Sequence, residues 1–213
     1  MSELWHLSPE LIRARLGKAQ ESLSEEDYLS AFLSDAPRPA AVLVPLIWSL
    51  VPPAEEPEWQ ILLTRRSDRL AEHRGQVAFP GGRCDPEDPS PEATALRETN
   101  EEIGLDPAEV VILGRLTNMW TITNYSITPV VGVIPWPFPL RLATDEVSRA
   151  FTIPLRWLAD PTNHEVRQRI IPSPYSLRMQ SETHPVIYFH PYDGEILWGV
   201  SAEIASNLIR VLK

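Results

Sequence analysis

Between Ser90 and Gly104 the chain carries a helix whose two ends are both written into the sequence. Ser90 offers an N-cap side chain, Pro91 suits the first helical position, and Glu92 in the first turn complements the helix dipole. Ile103-Gly104 reads as the stop, with glycine available for a left-handed cap. At about 100° per residue, Glu98, Glu101 and Glu102 share a sector of roughly 100°. Ala93, Leu96, Thr99 and Ile103 fall opposite and are the residues expected to meet a core. One face should pack while the other holds three carboxylates.

Three carboxylates that close repel one another, and a solvated acidic face is the ordinary outcome for such a helix. Two features point instead to a metal site. Arg97 stands at i−4 from Glu101, where it can orient or partly neutralise that acid. The helix is also led by Gly81-Gly82, a backbone that can approach a ligand closely. Hard divalent ions take oxygen ligands, commonly a few carboxylates together with substrate phosphates. A metal site is therefore the better reading, with Mg²⁺ or Mn²⁺ the expected cofactor.

At these residues the chain resembles the Nudix hydrolases. Their box reads Gly, five residues, Glu, seven residues, then Arg-Glu-U-x-Glu-Glu-x-Gly-U, with U a bulky aliphatic. Arg97, Glu98, Glu101, Glu102, Gly104 and Leu105 supply the second half, with Thr99 at the first U position. The first half departs from it, since Asp88 rather than Glu follows Gly82 and lies one residue further from Arg97 than the pattern allows. A second motif is narrower. The coenzyme A diphosphatase branch carries a signature close to LLTxRSxxLxxHxGQVxFPGGxxDxxD, matched here by Leu62, Leu63, Thr64, Arg66, Ser67, Leu70, His73, Gly75, Gln76, Val77, Phe79, Pro80, Gly81, Gly82, Asp85 and Asp88. An Asp-containing loop with one extra residue is typical of that branch, which accounts for the shifted register.

The resemblance covers residues 38–212 and implies an α/β fold, a Nudix-type α/β/α sandwich with a mixed β-sheet. Residues 38–213 would form that domain behind an N-terminal helical arm of residues 1–37, with helices at 4–16 and 24–33. Residues 40–51 read as a buried strand with a bulge or edge at Pro45. Residues 59–64 read as its hairpin partner, and 110–116 and 127–134 as further strands. Residues 164–191 are expected to add strands that close substrate access, and residues 198–212 an amphipathic closing helix. The Trp-Pro-Phe-Pro run at 136–139 is similar to a motif of the NADH diphosphatases, but a single cysteine, Cys84, excludes their four-cysteine zinc module. It reads as a rigid proline loop.

The resemblance also distributes roles. Glu98 and Glu102 become the principal metal ligands, and Glu101 a third ligand or the general base, held by Arg97. A backbone carbonyl at Gly81 or Gly82 would complete the shell. Glu146, in Asp145-Glu146-Val147 ahead of an expected helix, is either a further ligand or base from outside the box or a charge at a helix start. Arg66, with Arg65 and the other arginines between 65 and 83, forms a basic island suited to phosphate; Gly82 and Tyr125 complete the expected substrate contacts.

The implied reaction is metal-dependent hydrolysis of coenzyme A or acyl-CoA at its diphosphate. Two alternatives stand beside it: a diphosphatase for another nucleoside diphosphate derivative such as NADH or ADP-ribose, and a nucleotide-binding Nudix module without turnover. A net charge of −10 over 213 residues argues against nucleic-acid binding. No apolar run reaches the roughly 18 residues of a membrane span and no signal-peptide pattern opens the chain, so a cytoplasmic protein is expected. The expected partner is a small molecule, with no nucleic acid and no membrane, and with room for a homodimer.

Overall fold

The computed structural model describes residues 6–21, 37–50, 56–70, 73–173, 175–179 and 181–213. Around one mixed sheet it builds helix α1 (Pro9–Glu21), strands β1 (Arg38–Ser49), β2 (Glu58–Arg66), β3 (Val77–Ala78) and β4 (Gly81–Arg83), then helix α2 (Pro91–Ile103). Strands β5 (Val111–Arg115), β6 (Met119–Trp120), β7 (Tyr125–Val133) and β8 (Val147–Pro154) follow, then the short helix α3 (Leu155–Ala159). A separate antiparallel ribbon of β9 (His164–Ile170) and β10 (Thr183–Phe189) encloses helix α4 (Tyr175–Met179), and helix α5 (Gly199–Leu212) closes the chain.

The apolar runs of β1 and β2 are continuous because both faces of the sheet are covered. Along β1, Val44 and Leu46 point into a core shared with Ile12 and Leu16 of α1 and Ile204 and Leu208 of α5. Ala41, Leu43 and Ile47 point the other way, onto Ala95 and Ile103 of α2. The result is a three-layer α/β/α arrangement, as the resemblance implies. β1 pairs β7 in parallel and is antiparallel to β2 and β4.

Several elements depart from the sequence-based expectation. The first helix starts at Pro9 rather than residue 4, because the Ser8 hydroxyl accepts from the Leu11 amide (3.3 Å) and Pro9 occupies the first turn. The expected helix at 24–33 lies outside the described residues. Pro45 marks neither a bulge nor a sheet edge. β1 pairs β4 through Val42 and β2 from Leu46 onward, and the Leu43 amide on that side reaches Pro80 (2.8 Å). Pro45, which has no amide, stands where one partner gives way to the other. Glu146 does not open a helix. It lies in a turn leading into β8, and α3 begins only at Leu155.

Candidate active site

Three segments converge at the end of the sheet where β4 and the start of α2's acidic stretch meet: the Gly81–Arg83 strand, α2, and the turn before β8. The helix is fixed at both ends as the sequence requires. Ser90 Oγ accepts from the Ala93 amide (3.3 Å), and Gly104 takes the left-handed cap with φ 75°. Its packed face matches expectation at Thr99 and Ile103 and departs from it elsewhere. The buried positions are Thr94, Ala95, Thr99, Glu102 and Ile103, while Ala93 and Leu96 are only half-buried. The packed face is thus turned toward the acids, and Glu102 belongs to it.

Asp88 closes the loop between β4 and α2. Its carboxylate accepts from Arg97 Nε (3.2 Å) and Nη2 (2.9 Å), from Thr94 Oγ1 (2.8 Å) and from the Asp85 amide (3.0 Å). The Arg97 guanidinium, with those amide and hydroxyl donors, holds the Asp88 carboxyl far below the usual carboxylate range, and the bonds to Asp88 hold Arg97 firmly protonated. Arg97 Nη1 then reaches Glu98 Oε1 at 2.9 Å, against 3.4 Å to either oxygen of Glu101. So Arg97 orients Glu98 more closely than the Glu101 it was expected to hold, because Asp88 draws the guanidinium toward the loop.

The glycines have a geometric reason. A Cβ on Gly82 would sit 2.5 Å from the Glu98 carboxylate, and one on Gly81, where φ is 150°, would collide with the Ala41 carbonyl. Only a bare backbone lets β4 lie against both the sheet and the acids.

The acids are not equivalent. Glu102 is 5% exposed, its Oε2 has no hydrogen-bond partner, and burial pushes its pKa up to about 8. Arg66 and the Gly81 backbone pull that value down, while Glu98 and Glu146 push it further up. Burial likewise raises Glu98, opposed by Arg97 and reinforced by Glu101 and Glu146. Glu101 is largely exposed. Glu146 is exposed as well, yet its charge bears on both Glu98 and Glu102. Its turn is held by backbone bonds from the Ser67 amide to the Glu146 carbonyl (2.7 Å), from the Glu146 and Val147 amides to the Ala143 carbonyl (both 2.8 Å) and from the Ala143 amide to the carbonyl of Glu102 (2.9 Å).

Arg66, at the end of β2, faces this group with its Nε buried and unpartnered. Arg65, its neighbour, points elsewhere: it binds Asp68 (3.0 Å) and Ser148 (3.0 Å), with Glu195 at 3.5 Å. Tyr125 opens β7, two strands from Gly82, with the Arg38 guanidinium 4.2 Å over its ring. His73 bonds Gln76 (3.0 Å), and Cys84 packs against the α2-side core. Sequence reasoning missed Thr94 as a support for Asp88. It also missed the turn Tyr192–Asp193–Gly194–Glu195, whose Glu195 faces Arg65 and Arg149. Asp193-Gly194 is a local signal for the turn itself, but nothing local shows that it meets Arg65, well over a hundred residues away.

Among the described residues no three His, Cys, Asp or Glu side chains already form a closed cation cage. What the site has is an excess of desolvated negative charge: a buried carboxylate oxygen without a donor, a second acid raised by burial and a third close by. Such a cluster is balanced by protons or by a cation, and an all-oxygen donor set suits a hard divalent ion that also takes ligands from its substrate.

The NUDIX domain family matches residues 50–173 of the chain. An uncharacterised Nudix hydrolase, NudL, of Yersinia pestis (strain Pestoides F) is 35% identical over 211 residues, covering 98% of this chain and 97% of that protein. NudL of Yersinia pseudotuberculosis (serotype O:1b, strain IP 31758) is similar to the same extent. In structure, the chain is similar to a MutT/nudix family protein from Enterococcus faecalis, with a TM-score of 0.52 at 16% identity over 93% of this chain and 73% of that one.

Proposed function

The chain belongs to the Nudix hydrolases, which cut pyrophosphate bonds, and from that premise we propose that its substrate is coenzyme A or an acyl-CoA, cleaved to 3′,5′-ADP and the (acyl-)4′-phosphopantetheine. The observation that carries the reading is the continuity between signature and site. The stretch at 62–88 that resembles the coenzyme A diphosphatase branch ends at Asp88, and Asp88 grips Arg97, which in turn fixes Glu98.

Glu98 and Glu102 would hold Mg²⁺ or Mn²⁺, with Glu101 or a carbonyl at Gly81 or Gly82 alongside. The orphaned Glu102 Oε2 and the raised acid beside it fit such an ion. Bound there, the cation supplies charge neutralisation at the diphosphate and Lewis acidity. Arg97, locked to Asp88, keeps the Glu98 carboxylate in one orientation. Arg66 offers a half-buried guanidinium to the phosphate oxygens and offsets Glu102. Glu146, exposed at the rim, and Glu101, held only at 3.4 Å by Arg97, are the two groups placed to take a proton from the attacking water.

The test is purified protein with coenzyme A and Mg²⁺ or Mn²⁺, products separated by chromatography, beside Glu102→Gln. The expected result is 3′,5′-ADP from the wild type and almost none from the variant. Intact coenzyme A with cleavage of NADH or ADP-ribose would move the substrate to another nucleoside diphosphate derivative. Nucleotide binding without turnover of any of these would make the chain a binding module.

A further inference from the structure

A second feature adjoins the acids. β8 begins one residue after Glu146 and, among the described residues, pairs only with β2, so its outer edge is open. Along that edge runs a cleft of about 430 Å³, lined by Trp136, Arg149, Ala150, Phe151, Thr152, Tyr192 and Asp193. Its walls come from different layers. Trp136 belongs to the proline loop that packs on the α2-side core, whereas Tyr192 packs on the core beneath α5. The floor is strand edge, where every second residue presents its amide and carbonyl outward. Arg149 lies 5.2 Å from the Phe151 ring and is bonded to the Asp193 side chain and carbonyl.

Resting on the hydrolase reading above, we propose that this cleft is the nucleobase subsite, taking a planar nitrogen heterocycle between Trp136 and Tyr192. The size falls within the roughly 300–1,000 Å³ of small-molecule sites. Aromatic walls offer the stacking that any base accepts. An open strand edge offers paired donors and acceptors to a heterocycle's hydrogen-bonding edge, and the Asp193 carboxylate retains lone pairs for an exocyclic amino group. A purely aliphatic chain would leave those groups desolvated and unpaired, and a pantetheine arm, whose amides can also pair with a strand edge, has no ring to set against Trp136 and Tyr192, so the aromatic walls select the base. Distance agrees: Ala150 lies four residues beyond Glu146, about 13 Å along a strand at about 3.3 Å per residue. A ribose and its phosphates span such a gap.

The experiment uses the full chain with Trp136→Ala and with Ala150→Leu, the first removing a wall and the second filling the floor. AMP binding is measured by calorimetry. KM and kcat are measured with Mg²⁺ on a nucleoside diphosphate derivative and on a dialkyl diphosphate that lacks a nucleoside, with thermal melts to verify folding. The expected result is AMP affinity at least tenfold weaker in both variants. KM should rise similarly for the nucleoside substrate alone, with kcat and the dialkyl diphosphate little changed. AMP binding equal to wild type, an equal loss on both substrates, or a changed acyl-length preference with unchanged AMP affinity would each overturn the subsite. If the wild type cleaves no diphosphate yet loses AMP binding in the variants, the subsite stands and the proposed activity falls.

Discussion

Glu102 is the residue whose environment is most at odds with its charge, and that conflict has a sign. Its pKa in the folded chain is about 8, against an ordinary value of 4.5. Below 4.5 it is protonated whether folded or not and contributes nothing. Between 4.5 and 8 the folded chain holds a proton that the unfolded chain releases, so metal-free stability falls as pH rises, by at most about 1.4 kcal/mol per pH unit from this group. Glu102→Gln removes the group from that titration. Metal-free melts of the two proteins should therefore diverge as pH rises from 5 to 8, with the variant increasingly the more stable. Mg²⁺ should raise the wild-type melting temperature more at pH 8 than at pH 5 and leave the variant nearly unmoved. A constant difference between the two across this range would mean that Glu102 is not held in the desolvated setting described.

At the scale of elements, what could be read from the chain was what is local to it. The caps of α2 depend on Ser90, Pro91 and Gly104 alone, and all three do what their chemistry dictates. The packed face of α2 is legible at Thr99 and Ile103 but not at Glu102, because a hydrophobicity pattern assigns every glutamate to solvent and here one glutamate is packed. The closure by Asp88 was invisible to a spacing rule, since an extra loop residue changes the count without changing which side chains meet. β4 shows how tightly element and chemistry are joined. Gly82→Ala puts a methyl group 2.5 Å from the Glu98 carboxylate, which must swing off Arg97. Its backbone needs no left-handed conformation, so the fold should survive while turnover falls on the order of a hundredfold, the scale of an ångström-sized misplacement of a reacting group. Gly81→Ala meets backbone at φ 150° and should instead destabilise the protein by more than about 1 kcal/mol. Paired melts and kcat values for the two variants test the division, and a Gly82→Ala enzyme with wild-type turnover would refute it.

Across the whole molecule the sheet separates chemistry from cohesion. The acids, both glycines and Arg97 lie with α2 or at the end of the sheet it covers, whereas α1 and α5 build the larger core on the opposite face. Leu16 is fully buried in that core, against Gly114 and beneath α5. The segment carrying it precedes the matched family region, so sequence similarity to the domain alone assigns it no role. Packing does. Leu16→Ala leaves a cavity and should cost about 2–5 kcal/mol of stability. It should not change KM or kcat measured well below the melting temperature, because the sheet stands between it and every group in the site. Combined with Glu102→Gln, which is expected to strip activity and to relieve a buried charge, the two effects on stability should add to within about 0.5 kcal/mol, as sites without shared partners do. Denaturant melts of the four proteins at pH 8 complete that cycle. A coupling well above that limit would show that α1 reaches the acids through the sheet, and the molecule would have to be treated as one cooperative site rather than a chemical face carried on a structural one.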